Sequence, residues 1–180
     1  GIRSNGPQAL SGATVSMGSN GDGIYLTNMS GANGSFTVTG DATIGGTNTT
    51  VTTGSGDISF GGNITYPSNT RNLTTNTTGT TTLSGAIGST MSRNGNLSIT
   101  TGSSLLLPAM VFSSTKVLTV AAGGDITQSS NIVYQASSGT ATFSAGSANI
   151  TLLSSTNDFG TIRILSGNVA QVRDAGSLGL

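Results

Sequence analysis

The chain has 180 residues, of which 7% are charged and 34% hydrophobic, with a formal net charge of zero. An ordinary globular protein carries about 25% charged residues; here Gly, Ser, Thr and Asn fill the difference. Lys116 is the only lysine, and Arg3, Arg71, Arg93, Arg163 and Arg173 are scattered, so no basic patch marks a nucleic-acid partner.

Cysteine, histidine and glutamate are absent, which excludes a disulfide scaffold and a thiolate metal site. Helix is disfavoured throughout: 28 glycines leave no long clean window, and each interior Gly costs a helix about 1 kcal/mol. Plentiful Thr, Val and Ile favour strands over disorder. No window approaches the roughly 20 apolar residues of a membrane-spanning helix; the longest apolar run, 105–112, contains Pro108. Gly1–Gly6 lacks the apolar core of a signal peptide, so the sequence is expected to begin inside a longer protein or after processing.

Taken along the chain, short alternating runs predict strands with one buried and one wet face. Phe36-Thr37-Val38 is the first clear one, followed by Ile58-Ser59-Phe60, Leu97-Ser98-Ile99 and Leu118-Thr119-Val120. Ala141-Thr142-Phe143-Ser144-Ala145, Ile150-Thr151-Leu152 and Ile162-Arg163-Ile164 complete the series. Ile58, Leu97, Ile99, Ile126, Phe143, Ile150, Leu152, Ile162 and Ile164 are the expected inward residues.

Between the strands a short motif recurs: a small residue, then Asn or Asp, then an aliphatic, then Thr or Ser. It reads Gly56-Asp57-Ile58-Ser59, Gly62-Asn63-Ile64-Thr65, Gly95-Asn96-Leu97-Ser98, Gly124-Asp125-Ile126-Thr127 and Ala148-Asn149-Ile150-Thr151. Looser copies are Arg71-Asn72-Leu73-Thr74 and Gly167-Asn168-Val169-Ala170. Asn and Asp tolerate the left-handed region and bond their own backbone in turns, so each copy is expected to be a corner leading into a strand. From Leu97 the motif aliphatics fall at 126, 150 and 169, intervals of 29, 24 and 19 residues. That range suits the turn of a solenoid.

Two architectures fit: a coil of parallel strands, or a β-sandwich of antiparallel hairpins. Asn5-Gly6, Asn20-Gly21, Asn33-Gly34 and Asn94-Gly95 are hairpin signals, concentrated early; the later chain carries the corner motif instead. The expectation is therefore an all-β solenoid, with the β-sandwich as alternative. Residues 1–180 form one segment, irregular over 1–94 and clearer over 95–180. About eight coils of roughly 20–24 residues, stacked about 4.8 Å apart, would give a rod about 40 Å long.

The ordered series Gly124-Asp125-Ile126-Thr127-Gln128, Ala141–Gly146, Asn149-Ile150-Thr151-Leu152, Asn157-Asp158-Phe159-Gly160-Thr161, Gly167-Asn168-Val169 and Ala175–Leu180 resembles the repeats of filamentous-haemagglutinin-like exoproteins. These are large adhesins that Gram-negative bacteria secrete through a dedicated outer-membrane partner. The resemblance is best over 95–180; before that, Gly23–Asn28 and Gly34–Gly40 look like generic repeats of large bacterial surface proteins. It implies a right-handed parallel β-helix, export to the cell surface, and an adhesive or structural role. The implied partners are the outer-membrane secretion protein and an unknown host, surface or polysaccharide receptor; apart from the resemblance, a solenoid without visible caps is expected to continue into further covalent coils or to stack on copies of itself. The rival from another class is a self-assembling subunit of an extracellular fibre or sheath.

No catalytic, cofactor-binding or metal residue is assigned. A polysaccharide-cleaving site needs paired carboxylates, and the acids are Asp22, Asp41, Asp57, Asp125, Asp158 and Asp174. Asp57 and Asp125 are expected to cap turns, and Asp158, Arg163, Arg173 and Asp174 to form a surface salt-bridge group. The chain is therefore expected not to be an enzyme. Gly18–Tyr25 has one Gly-rich, Asp-containing turn, where calcium binding would require tandem copies. The run from Thr74 to Thr82 suggests a Thr ladder of the kind that matches ice, but it looks local and without recurrence at the coil period. Asn-X-Ser/Thr triplets begin at Asn28, Asn33, Asn48, Asn63, Asn72, Asn76, Asn96 and Asn149; in a chain this rich in Asn, Ser and Thr many arise by chance, and some adhesins of the resembled class are glycosylated at such sites.

Overall fold

The computed structural model describes residues 8–11, 15–17, 24–26, 28–32, 34–45, 47–89, 95–176 and 178, with side-chain environments from residue 34 onward. The Asn-Gly signals fall largely on residues outside this set, as do residues 18–23 of the Gly-rich turn. The chain winds through repeated coils of short strands. The first holds β1 (Gln8–Ser11), β2 (Val15–Met17) and β3 (Ile24–Leu26); the second holds β4 (Asn28–Ala32), β5 (Phe36–Val38) and β6 (Ala42–Ile44). Next come β7 (Asn48–Gly54), β8 (Ile58–Phe60) and β9 (Ile64–Thr65), then β10 (Asn72–Thr77) and β11 (Thr81–Leu83). They are followed by β12 (Leu97–Thr101), β13 (Leu105–Leu107) and β14 (Met110–Phe112), then β15 (Val117–Ala122), β16 (Ile126–Gln128) and β17 (Ile132–Tyr134). The last are β18 (Thr140–Ser144) and β19 (Ile150–Leu152), then β20 (Thr161–Ser166) and β21 (Ala170–Val172).

Among the described residues every ladder is parallel, and the sheets stack coil on coil as a solenoid rather than a sandwich. The first face is an eight-stranded sheet, β1-β4-β7-β10-β12-β15-β18-β20, one strand from each coil. The second face comprises β2-β5-β8-β11 and β13-β16-β19-β21. The third comprises β3-β6-β9 and β14-β17, linked through Ile87, which bridges Ile64 and Met110. The molecule is a three-faced parallel β-helix. Among the described residues the only helical element is a 3-10 turn, Gln135–Ser137.

The interior is built of columns that run through successive coils. Val51, Thr75, Ile99, Val120, Phe143 and Ile164 form one; Thr49, Leu73, Leu97, Leu118, Ala141 and Ile162 form the next. Each fully buried Ile, Leu or Phe contributes about 1.5–3 kcal/mol. Rings pair between coils: Phe112 stacks on Tyr134 at 4.7 Å and Phe36 meets Phe60 at 5.6 Å. Within one coil, Phe143 meets Phe159 edge-on at 6.5 Å.

Eight of the nine expected inward residues are buried. Ile164 differs: it continues the Val51–Phe143 column yet is 37% exposed. Its strand, β20, pairs with β18 on one side, and among the described residues no strand pairs with its other side. The apparent 29-residue interval is also corrected. Leu97 stands beside Leu118, 21 residues on, whereas Ile126 stands beside Leu105 and Ile150 on another face. Residue 169 falls one place out of step, because Ile150 pairs with Ala170.

Candidate binding face

The corner motif does different work from that expected. Positive φ among non-glycine residues occurs at Thr115 and Ala136, not at the motif's Asn or Asp. Instead the motif side chain reaches to the next coil. Asp41 Oδ1 accepts the Asn63 N–H at 2.7 Å, and Asn63 Oδ1 accepts the Ala86 N–H at 2.9 Å. Asp57 Oδ1 accepts the Thr80 N–H at 2.8 Å, and Asp125 Oδ1 the Asn149 N–H at 2.8 Å. Asn72 donates to Asn48 Oδ1 at 2.7 Å and accepts from the Asn96 N–H at 2.8 Å; Asn96 in turn accepts from the Val117 N–H at 3.0 Å. These side chains carry the backbone ladder across corners, where the strands' own pairing stops.

The aspartates are thereby used structurally. Asp174, expected in a salt-bridge group, accepts the Phe159 N–H at 2.7 Å and the Gly176 N–H at 2.8 Å. Asn157 and Phe159, on either side of Asp158, bond to Arg173–Ala175, so Asp158, Arg173 and Asp174 lie close together, whereas Arg163 is exposed on β20. Asp22 lies outside the described residues. No group of three or more potential metal ligands occurs among the described residues. No described helix is long and apolar enough to cross a membrane.

One buried polar node went unforeseen. Asn157 is fully buried and exchanges amide hydrogen bonds with Gln128, donating at 2.9 Å and accepting at 2.9 Å. It also accepts the Ile132 N–H at 3.0 Å and donates to Arg173 O at 3.1 Å, tying three coils together. Gln128 is 29 residues away in sequence, so no local pattern could announce the pair.

The surface with organised chemistry is the outward side of the eight-stranded sheet. There the registers align two columns of small polar side chains. Thr50, Thr74, Ser98, Thr119 and Thr142 form one; Thr52, Asn76, Thr100, Ala121 and Ser144 form the other. Strand spacing sets rows about 4.8 Å apart, and alternate residues along a strand stand about 6.7 Å apart. Charge enters the first column only at Arg163, next to Thr142. Asn76 and Thr100 are exposed, and Thr74, Ser98, Thr119 and Thr142 half-buried. In the second column Ser144 shares a 2.6 Å hydrogen bond with Ser166.

This corrects the view that the Thr pattern is local. Within 74–82 the threonines alternate in and out, with Thr75, Thr77 and Thr81 buried. The recurrence lies across coils, at 50, 74, 98, 119 and 142. Counting at the coil spacing, rather than along the run, would have found it. The triplet asparagines sort in the same way: Asn48, Asn63, Asn72, Asn96 and Asn149 belong to the corner ladders, whereas Asn76 stands outward on the flat face.

Compared with known proteins, residues 94–166 match a family model described as repeats of unknown function (DUF5649). That span covers the coils from β12 into β20, within the part whose repeats are clearest in the sequence. No curated protein and no solved structure matches. The chain is thus a repeat protein with a parallel β-helical build, similar over 94–166 to a family of repeats of unknown function.

Proposed function

We propose that this chain is a structural and adhesive segment of a secreted bacterial surface protein: a stiff β-helical stalk or filament that serves attachment and performs no catalysis. The observation that supports it most is the use of the polar side chains. Aspartates and asparagines that would otherwise furnish a reactive site hold one coil to the next. Such a rod presents long regular faces and resists local opening. The filamentous-haemagglutinin-like resemblance of residues 95–180 adds export through an outer-membrane partner and a surface location. The test is to replace residues 1–180, within the polypeptide that carries them, by an unrelated β-helix of equal length. A purely structural stalk keeps attachment at its original level; an adhesive segment loses it. Attachment unchanged after outright deletion contradicts both roles.

A second reading is favoured by the flat face. Two uncharged columns of hydroxyl and amide groups in a regular grid suit an ordered surface, ice or an extended polysaccharide. Partition of the purified chain into growing ice, or onto insoluble polysaccharide, checks it, with Thr74→Tyr and Thr119→Tyr expected to abolish binding. Absence of both kinds of partition removes this reading.

A further inference from the structure

We infer that the corner column of Arg71, Gly95, Lys116 and Gly139 is a binding site for an extended acidic polysaccharide, one with a carboxylate on every second sugar. The four residues stand one above another where the third face turns into the first. Gly95 lies against the Arg71 carbonyl and Gly139 against the Lys116 carbonyl. The pairing of Leu97 with Leu118 sets Gly95 level with Lys116. Coils stack about 4.8 Å apart, so the backbones of the two cations stand about 10 Å apart, on alternate coils. The glycines between and beyond them put no side chain beside either cation.

Both cations are without partners. Among the described residues neither the Arg71 guanidinium nor the Lys116 ammonium makes a hydrogen bond or an ion pair. Arg71 is half-buried and its Nε is buried with no partner, so its stem lies along the coil and its terminal nitrogens are the part left to meet a ligand. An arginine fork matches a carboxylate with two parallel hydrogen bonds, and a lysine holds one as a point charge.

The aspartates stand elsewhere. Asp57 and Asp125 lead into the second face and Asp41 into the third, each accepting a backbone N–H of the next coil. Asp158 and Asp174 lie near Arg173. The column next to the cations reads Asn48, Asn72, Asn96, Val117 and Thr140, with no acid. The residues ahead of Gly95 in the sequence, Thr90 to Asn94, include none either. A net charge of zero therefore conceals a sorted distribution, with acids at two corners and unpaired bases at the third.

The spacing selects the partner. A sugar advances an extended chain by about the height of one coil, so carboxylates on alternate sugars fall in step with cations on alternate coils. Nucleic-acid phosphates are denser, one per about 3.4 Å along each strand of a duplex, and two cations would neutralise few of them. The site gives the adhesive reading a ligand class, and it rests on that reading for its biological role but not for the binding itself.

The test titrates the 180-residue chain with hyaluronan oligosaccharides, which carry one carboxylate per disaccharide. A fragment with two carboxylates should bind about tenfold tighter than a fragment with one, because it reaches both cations. Arg71→Gln and Lys116→Gln should each remove that advantage with the circular dichroism unchanged; if Arg71→Gln disturbs folding, Lys116→Gln carries the test. Arg173→Gln, an exposed cation off the column, should leave the advantage intact, and binding should weaken as salt is raised. No hyaluronan binding at low salt overturns the inference. So do equal affinities for the two fragments, an advantage that survives Lys116→Gln or is lost equally in Arg173→Gln, and tighter binding of single-stranded DNA. These outcomes concern the column alone; the adhesive reading is overturned instead by attachment that survives deletion of residues 1–180.

Discussion

Asn72 donates its side-chain amide to Asn48 Oδ1 one coil away, at 2.7 Å, while its own oxygen accepts the Asn96 N–H of the following coil at 2.8 Å. One side chain thus links three coils at a corner where the strand ladder has ended. Truncating it leaves the Asn96 amide and the Asn48 oxygen without these partners. Asn72→Ala should therefore cost about 1–2 kcal/mol, whereas Asn76→Ala, on the same strand but exposed, should stay within about 0.5 kcal/mol of the parent. Urea melts of the two variants make the comparison.

Thr75 sits in an interior column between Val51 and Ile99, 1% exposed, and its hydroxyl has no hydrogen-bond partner. A buried unpaired hydroxyl is a standing cost, and valine has nearly the same shape. Thr75→Val should raise stability by about 1 kcal/mol. A loss of that size in chemical denaturation would show that the hydroxyl does structural work.

Two glycines should respond differently to alanine. A Cβ on Gly102 would lie 1.9 Å from Thr78 O, backbone of the neighbouring coil, so the coils would have to part. Gly102→Ala should cost about 3 kcal/mol. Gly146 has φ +58° and open space where its Cβ would stand; Gly146→Ala meets only the left-handed conformational penalty, about 1–2 kcal/mol. Melting temperatures of the pair test that order.

Much of the architecture was legible because alternation and a buried face are local properties. Ile58-Ser59-Phe60 and Ile150-Thr151-Leu152 announce strands with their inward residues named. Register was harder, for a physical reason: the same Gly-Asn/Asp-aliphatic motif serves more than one corner of the coil. Asn96 leads into the first face, Asp57 and Asp125 into the second, and Asn63 into the third. The distance from one motif to the next is then not the coil length, and Leu97 was matched with Ile126 instead of Leu118. The candidate face was missed for the same reason, since Thr50, Thr74 and Ser98 come together only once the register is known. The Gln128–Asn157 pair and the exposure of Ile164 depend on neighbouring coils and have no local signature.

Burial pushes the phenols of Tyr66 and Tyr134 well above the ordinary tyrosine range; for Tyr134 the Leu118 N–H, which donates to its oxygen, offsets this in part. The folded state thus holds protons that the unfolded chain releases near pH 10. The stabilising difference is fully present below that pH and is lost as pH rises above it, by up to about 2.7 kcal/mol per pH unit for two phenols. Phenolate absorbance from these residues should appear together with unfolding. Their titration near pH 10 with the circular dichroism intact would contradict their burial.

The central claim, that this rod works outside the cell that makes it, is tested most directly by antibody against residues 1–180 on intact, non-permeabilised cells expressing the parent polypeptide. The account predicts surface labelling that external protease removes. Labelling that appears only after permeabilisation would contradict it.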